Sequence, residues 1–591
     1  MNNSPPLKLN LPERTTAPAD SFLLDTKKVE AWVSSLPIAN TGESSKRVFQ
    51  TMVEFNRIEL LNLKRIKIIN ICRPIVQFVA TNLRKYYLDS PLPLAAKNQK
   101  VVVLCRELHS ELANSYKIII ERMASGQGEK FERKLMIIAL HQAIYYLSKV
   151  LYYSVIVYNP YPVNTWREIH KLFVFAEQNN VSKIKINEGS GSSGSTTTIE
   201  DIYKDAILLA LAFPYRLRQQ EIEHLYQKLP DWAAHIQIST PQPDYEYEGN
   251  FFVRTENDDP PMHISLQTKQ LNEQCRMIDT QQLTQYLRKE LKGIFTEKSE
   301  SALFTKEMQV TVPMLRKVIK SLTYTPKRAF IRTRLNFELD TVVGINAIHS
   351  QITAYRIKNH GGGIEAQETH ILDEEEEGLK DSSFLDNDFR ADNDSLQIVP
   401  LDHPVEEAIL NPKDIQDTWI IEDGAPAWAT QSQEQESDTF SCKTFNESAG
   451  GYCINWTGNK PPNIRVGELI GIQSASERSQ FSMSIIRWLK HMPGVGLQLG
   501  MEIISPTADA IRIHLPGDSQ HNETTQKCIL LPEVSASNRP PCMILPILNI
   551  HVGDKIRIDD DKQQRPAKLI RLLESTGTFS LFEFVYMDEG D

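Results

Sequence analysis

Apolar positions divide the chain into a helical first part and a β-rich last part. From residue 21 to about 232 they recur at i, i+3 and i+4, as in Val48 to Phe55, Ile58 to Ile66 and Leu135 to Leu140. Breaks fall at Pro91-Leu-Pro93, Gly126-Gln-Gly128, Asn159-Pro-Tyr-Pro162 and the Gly/Ser run 189–195, which reads as a flexible linker. The spacing predicts about seven helices in an all-α domain over 21–235. Stacked helix pairs, as in a tetratricopeptide array, would suit these lengths, but no period of about 34 residues is present. Tyr145, Tyr146, Tyr152, Tyr153 and Tyr158 crowd one stretch and are expected as packing residues.

Residues 236–325 read as a small mixed α/β connector. A short hairpin is expected within 236–266, followed by helices over 279–296 and 312–322. From Arg334 the period becomes two, with Leu335, Phe337, Leu339 and Thr341 on one face, and the strand-like run extends to Ile348. Beyond His349 the pattern dissolves. Residues 358–440 contain Gly361-Gly-Gly363 and Glu374-Glu-Glu-Glu377, and such a solvated, self-repelling segment is expected to be a disordered acidic insert. Strands return at Tyr452 to Trp456, Glu468 to Ile472, Met483 to Leu489 and Leu497 to Ile504, at barrel-like intervals. Residues 511–591 read as a second small β domain packed on the first barrel. The expected architecture is therefore multi-domain: an all-α domain, the connector, a β-barrel over 326–510 interrupted by the insert, and a C-terminal β domain.

Composition narrows the function classes. A chain of 591 residues exceeds one core, and 41% hydrophobic content supplies several. No apolar run reaches the roughly 18–20 residues that span a bilayer, and Met1-Asn-Asn-Ser-Pro-Pro has no signal-peptide pattern. Residues 1–20, with four prolines, are expected to form a disordered arm. The seven cysteines are scattered without metal-ligand spacing, so free thiols in a reducing cytoplasm are expected, with no metal or cofactor. A net charge of −10 disfavours binding of DNA or RNA, yet leaves room for a small anionic ligand held by a few local arginines. His360-Gly-Gly-Gly363 matches a lipase oxyanion sequence, but no G-x-S-x-G elbow accompanies it, so no enzyme is expected.

Two short patterns carry specific chemistry. Arg328-Ala-Phe-Ile-Arg332 places two arginines four residues apart just before the first strand. A guanidinium fork bonds bidentately to phosphate or to the N7/O6 edge of guanine, and its face stacks on a base. In Asn446-Glu-Ser448-Ala-Gly450-Gly451, an amide and a hydroxyl suit a guanine edge or a phosphate, and the glycines permit close backbone approach. Alone, the arginine pair reads more readily as a solvated basic lead-in, and the second pattern equally as a plain hairpin turn. In this order, with strands around them, they resemble the nucleotide-binding signature of PilZ domains, a bacterial second-messenger receptor family. Val466-Gly-Glu-Leu-Ile-Gly-Ile472, Ser484-Ile-Ile-Arg-Trp488 and Gly496-Leu-Gln-Leu-Gly-Met501 resemble that family's later strands.

The resemblance covers roughly 326–350 and 440–505. It implies a cyclic di-GMP effector in signal transduction, with Arg328, Arg332, Asn446, Ser448, Gly450 and Gly451 as ligand residues. Lys327 and Arg334 are further phosphate contacts by the same reading, and the helical domain would present a protein partner. Two departures stand out: asparagine replaces the commoner aspartate at 446, and about ninety residues separate the first two barrel strands. The competing reading is a scaffold whose helical domain binds a protein and whose barrels bind no nucleotide.

Overall fold

The structure is a computed structural model. It describes residues 7–126, 132–187, 196–242, 251–266, 270–297, 306–323, 333–334, 336–360, 439–448, 450–456, 464–474, 481–492, 494–515, 524–533, 540–547, 550–559 and 564–587. The Gly/Ser run, most of the acidic insert, Lys327, Arg328 and Arg332 lie outside these residues. The chain divides into two compact units, the first chiefly residues up to 303 with 310–325, the second chiefly 326–400 with 431–591.

The first unit is built on helices α1 (Thr26–Ser34), α2 (Thr41–Asn56), α3 (Asn62–Leu83), α4 (Ala96–Ala124), α5 (Arg133–Val155), α6 (Thr165–Gln178), α7 (Ile199–Leu211) and α8 (Gln219–Ala233). The long helices α4 and α5 pack along each other at its centre. α5 is apolar almost all round, as a central helix must be. By length and composition it would span a bilayer, but 83% of its apolar window is buried inside the protein. Tyr146, Tyr152, Tyr153 and Tyr158 are buried, with Tyr146 stacked on Tyr116 and Tyr152 against Tyr226. Four of the five tyrosines are thus core, and Tyr145 is half-buried. Helix starts follow their chemistry: Thr198 and Asp201 form a reciprocal capping box on α7.

Residues 7–20 differ from the disordered arm expected. They lie along the helices: Leu9 is buried, Thr15 bridges Ile58, and Asn10 donates its backbone N–H to Glu168, which also pairs with Lys117 at 2.6 Å. A buried carboxylate and ammonium need further polar partners, and the backbone of the arm supplies them.

The connector holds β1 (Gln237–Ser239), β2 (Phe251–Arg254), β3 (Met262–His263) and β4 (Cys275–Asp279), in the antiparallel order β1-β4-β2-β3, followed by α9 (Gln281–Glu297) and α10 (Lys306–Thr323). It is tied to the helical part by Asp258, whose carboxylate accepts from the N–H groups of Asn164 and Arg167 at the start of α6. Lys317 of α10 pairs with Glu221 of α8 at 2.8 Å.

The second unit contains two closed barrels. The first uses β5 (Thr333–Arg334), β6 (Glu338–Val343), β7 (Phe440–Ser448), β8 (Gly451–Trp456), β9 (Leu469–Ser474), β10 (Ser482–Met492) and β11 (Gly496–Ser505). The order β7-β6-β9-β10-β11-β8 closes through a β7–β8 pairing, while β5 continues β6 along the same edge of β7. Thus β6 and β7 pair directly although the insert separates them in sequence. Loop-closure entropy rises only logarithmically with length, so an insert of this size is tolerated.

The strand-like run to Ile348 is shorter than expected, and order continues past His349. β6 stops at Val343, Gly344 turns the chain at φ +89°, and helix α11 (Ile345–His360) follows. Ile345, Ile348 and Ile352 fall on one helical face and are buried with Val342, Leu469 and Met483. The same cluster takes in Ala510, Ile529, Ile544 and Leu581 of the second barrel, so α11 is the wedge between the two barrels. That second barrel is β12 (Asp509–Leu515), β13 (Thr524–Leu531), β14 (Cys542–Pro546), β15 (Lys555–Asp559), β16 (Gln564–Ser575) and β17 (Phe579–Tyr586), closed in the order β12-β13-β14-β17-β16-β15. Its interior packs Ile513, Met543, Ile556, Leu569, Phe582 and Phe584.

Candidate functional site

The second signature pattern forms the β7–β8 hairpin. Asn446 and Ser448 lie in β7 rather than in the turn itself, and Gly451 begins β8. A bulge between Thr444 and Asn446 explains the placement. Phe445 faces solvent, 41% exposed, in the strand's own alternation, and the bulge brings Asn446 opposite Cys453. Sequence spacing alone gave no sign of that bulge, and Phe445 was not among the candidate ligand residues.

The register builds one row across five strands: Arg334 opposite Asn446, Asn446 opposite Cys453, Cys453 opposite Gly500, and Gly500 opposite Trp488. Gly500 is required there, since a Cβ would sit 1.8 Å from the Trp488 Nε1. The next row holds Ser448, Gly451 and Glu502. Ser448 Oγ donates to the Gly451 carbonyl at 3.3 Å, a long bond that leaves the hydroxyl's lone pairs for another donor. Glycine at 451 has a structural reason of its own: a Cβ would lie 1.9 Å from the Met501 carbonyl oxygen. Asn455, Gln498 and Lys490 form a neighbouring polar row, with Gln498 donating to Asn455 at 3.1 Å. Burial lowers the Lys490 ammonium from its ordinary value. Burial, then Glu447, pushes the Tyr452 phenol up to about 12, so it stays protonated beside the hairpin.

Of the sequence candidates, the structure brings together Arg334, Asn446, Ser448, Gly450 and Gly451 on one hairpin and its neighbouring strand. Thr333, the residue after Arg332, lies opposite Glu447, between Asn446 and Ser448. Among the described residues no group of three His, Cys, Asp or Glu could hold a metal.

Family models match three successive stretches of the chain. They are described as the cyclic-di-GMP receptor FimW N-terminal domain, over 27–244, its middle PilZ domain, over 250–510, and the FimW C-terminal beta-barrel domain, over 511–587. The chain belongs to the PilZ-containing family of cyclic di-GMP receptors. The cyclic-di-GMP receptor FimW of Pseudomonas aeruginosa is 26% identical over 587 residues, covering 99% of this chain and 94% of its own length. No solved structure matches the chain. The family's middle domain contains the arginine lead-in, the acidic insert and the Asn446–Gly451 hairpin, and its C-terminal domain model begins within β12.

Proposed function

We propose that this chain is a cyclic di-GMP receptor whose ligand is held between the Arg328–Arg332 lead-in and the β7–β8 hairpin. One observation carries the reading: β5, which directly follows the arginines, pairs with Asn446 and Glu447 from across more than a hundred residues of sequence. Two guanidiniums would take phosphate and guanine edge, Asn446 and Ser448 the remaining polar edges, and exposed Phe445 a base face. Lys327 and Arg334 supply further positive charge. The protein binds a messenger and is not a catalyst. All seven cysteines are free and buried, which suits a reducing cytoplasm.

Calorimetry with cyclic di-GMP tests this reading and gives the stoichiometry. Arg328→Ala, Arg332→Ala and Asn446→Ala should each weaken binding, the arginines by roughly 2–5 kcal/mol. Binding that these changes leave untouched would rule the site out, and absence of any heat would favour the scaffold reading. The helical unit is the partner-binding element of the same proposal. Between α1 and α3 it presents a groove where Leu61 and Leu63 are 60% and 52% exposed beside Leu24, Lys64 and Lys67. Leu61→Glu and Leu63→Glu should abolish partner capture without changing nucleotide affinity.

A further inference from the structure

The outer wall of the second barrel sets like charges directly against one another. Arg512 of β12 is opposite Lys527 of β13 on one side and Asp559 of β15 on the other, and Lys555 of β15 is opposite Lys568 of β16. All four are exposed, and β13, β12, β15 and β16 are consecutive neighbours in the ring. Like charges directly opposite in a sheet destabilise it. On the same wall Ile570 and Leu572 of β16 are 39% and 42% exposed, beside Val585 at 45%. A basic surface with an apolar strip fits a ligand that is acidic and apolar together.

The chain contains such a segment, tethered beside this wall. α11 docks on the second barrel: His349 Nε2 bonds the Ile511 carbonyl at 3.0 Å, and Arg356 bonds the Ala510 carbonyl at 3.3 Å and Asp509 at 2.5 Å. Ala510 and Ile529, which share a buried cluster with α11, are paired with each other. They lie two residues, or about 7 Å, along their strands from Arg512 and Lys527 on the same face. α11 ends at His360, about 6 Å of helix past Arg356. Thirteen residues further, the sequence reads Asp373-Glu-Glu-Glu-Glu377, flanked by Ile371, Leu372, Leu379, Phe384 and Leu385. At about 3.5 Å per residue that tether reaches some 45 Å, enough for any point on a small barrel.

We propose that residues 371–389 dock on the basic wall of β13, β12, β15 and β16. Asp373–Glu377 face Arg512, Lys527, Lys555 and Lys568, and the apolar flanks cover Ile570 and Leu572. Linkage in one chain gives the segment a local concentration in the millimolar range, so a modest intrinsic affinity suffices.

The test uses the full chain. A labelled peptide of residues 371–389 is titrated by fluorescence anisotropy into wild type and into a variant carrying Asp373→Asn and Glu→Gln at 374 to 377. The variant, freed of its own competing segment, should bind the peptide at least about tenfold more tightly. Adding Arg512→Glu and Lys527→Glu, or separately Lys555→Glu and Lys568→Glu, should remove that binding, while unchanged melting shows that the barrel still folds. Carbodiimide treatment of wild type should join Lys527 or Lys568 to Glu374–Glu377 within one chain. Equal peptide affinity in wild type and variant would overturn the proposal. So would binding insensitive to both charge reversals, or cross-links that join only separate copies in a mixture of isotopically light and heavy protein.

Discussion

Arg487 of the first barrel and Glu574 of the second form a two-pronged ion pair, both guanidinium terminal nitrogens reaching the carboxylate. The remaining nitrogen, Nε, donates to Glu502 at 2.5 Å, and Glu502 lies opposite Gly451. A bidentate arginine holds its partners in orientation as well as by charge, so this triad ties the candidate site's hairpin to the neighbouring barrel. The side chains are 17% and 26% exposed, sheltered enough to count energetically. A double-mutant cycle with Arg487→Met and Glu574→Gln, read by urea unfolding, should give a coupling of about 1–3 kcal/mol. A coupling near zero would mean that α11, the apolar cluster and the Thr578 hydroxyl bond to the Gly467 carbonyl join the barrels without help from this pair.

The order of elements was legible because it rests on periodicity. The strand runs from Tyr452 onward and the helical period before residue 232 each reflect where apolar side chains are buried, although α5 and β10 are buried on more than one face. The family signature was legible because asparagine, serine and glycine recur at fixed offsets. What escaped was local geometry that periodicity does not encode. Ile345, Ile348 and Ile352 have helical spacing, but they abut a genuine strand, and only the φ of Gly344 separates the two. The bulge at Phe445 likewise shifts Asn446 by one position, a change invisible without its partner strand. Gly451 was read as ligand clearance, whereas Met501 suffices to explain it. Strands β12 and β16 carried too many exposed or charged positions to stand out.

Lys117 and Glu168 form an ion pair with side chains only 3% and 8% exposed, and Lys117 also donates to the Asn10 carbonyl at 2.9 Å. Removing one partner leaves a buried charge. Lys117→Met should therefore cost roughly 3–5 kcal/mol, and it should release residues 7–20 to rapid hydrogen exchange. Replacing both partners with apolar residues should recover much of the stability. A single substitution costing under about 1 kcal/mol would show that water reaches the pair.

The helical unit should lose stability in mild acid. Burial holds His109, His141 and His170 down at about 4, against 6.5 when exposed. Each is neutral in the fold and gains a proton on unfolding below about pH 6.5. Its contribution is complete above pH 6.5 and falls as pH drops towards 4, at up to about 1.4 kcal/mol per pH unit. Buried Glu111 and Asp205, both raised by burial, act with the opposite sign, so the difference between wild type and variant is the clean observable. His109→Gln should flatten the stability slope between pH 6 and 4.5 by roughly 1 kcal/mol per unit, in denaturant titrations at each pH. An unchanged slope would mean that His109 is hydrated in solution.

Gly451 separates folding from binding at the candidate site. A methyl group there would lie 1.9 Å from the Met501 carbonyl oxygen, 3.0 Å from its carbon and 3.2 Å from the Glu502 Cα. All three are backbone atoms of the adjacent strand, and no rotamer change relieves the clash. Gly451→Ala must push the hairpin away from β11, which loosens the pairings of Gly451 with Glu502 and of Tyr452 with Met501. Overpacking of this kind typically costs about 1–3 kcal/mol, and backbone contacts place it at the upper end. Ser448→Ala removes only a hydroxyl whose 3.3 Å bond to Gly451 is long, so its effect on stability should stay under about 1 kcal/mol. If the hairpin holds the nucleotide, both changes weaken cyclic di-GMP binding in calorimetry while only the first lowers the melting temperature. Ser448→Ala with full affinity would remove the hydroxyl from the site, and Gly451→Ala with wild-type melting would mean that β8 and β11 stand further apart than a 1.9 Å approach allows.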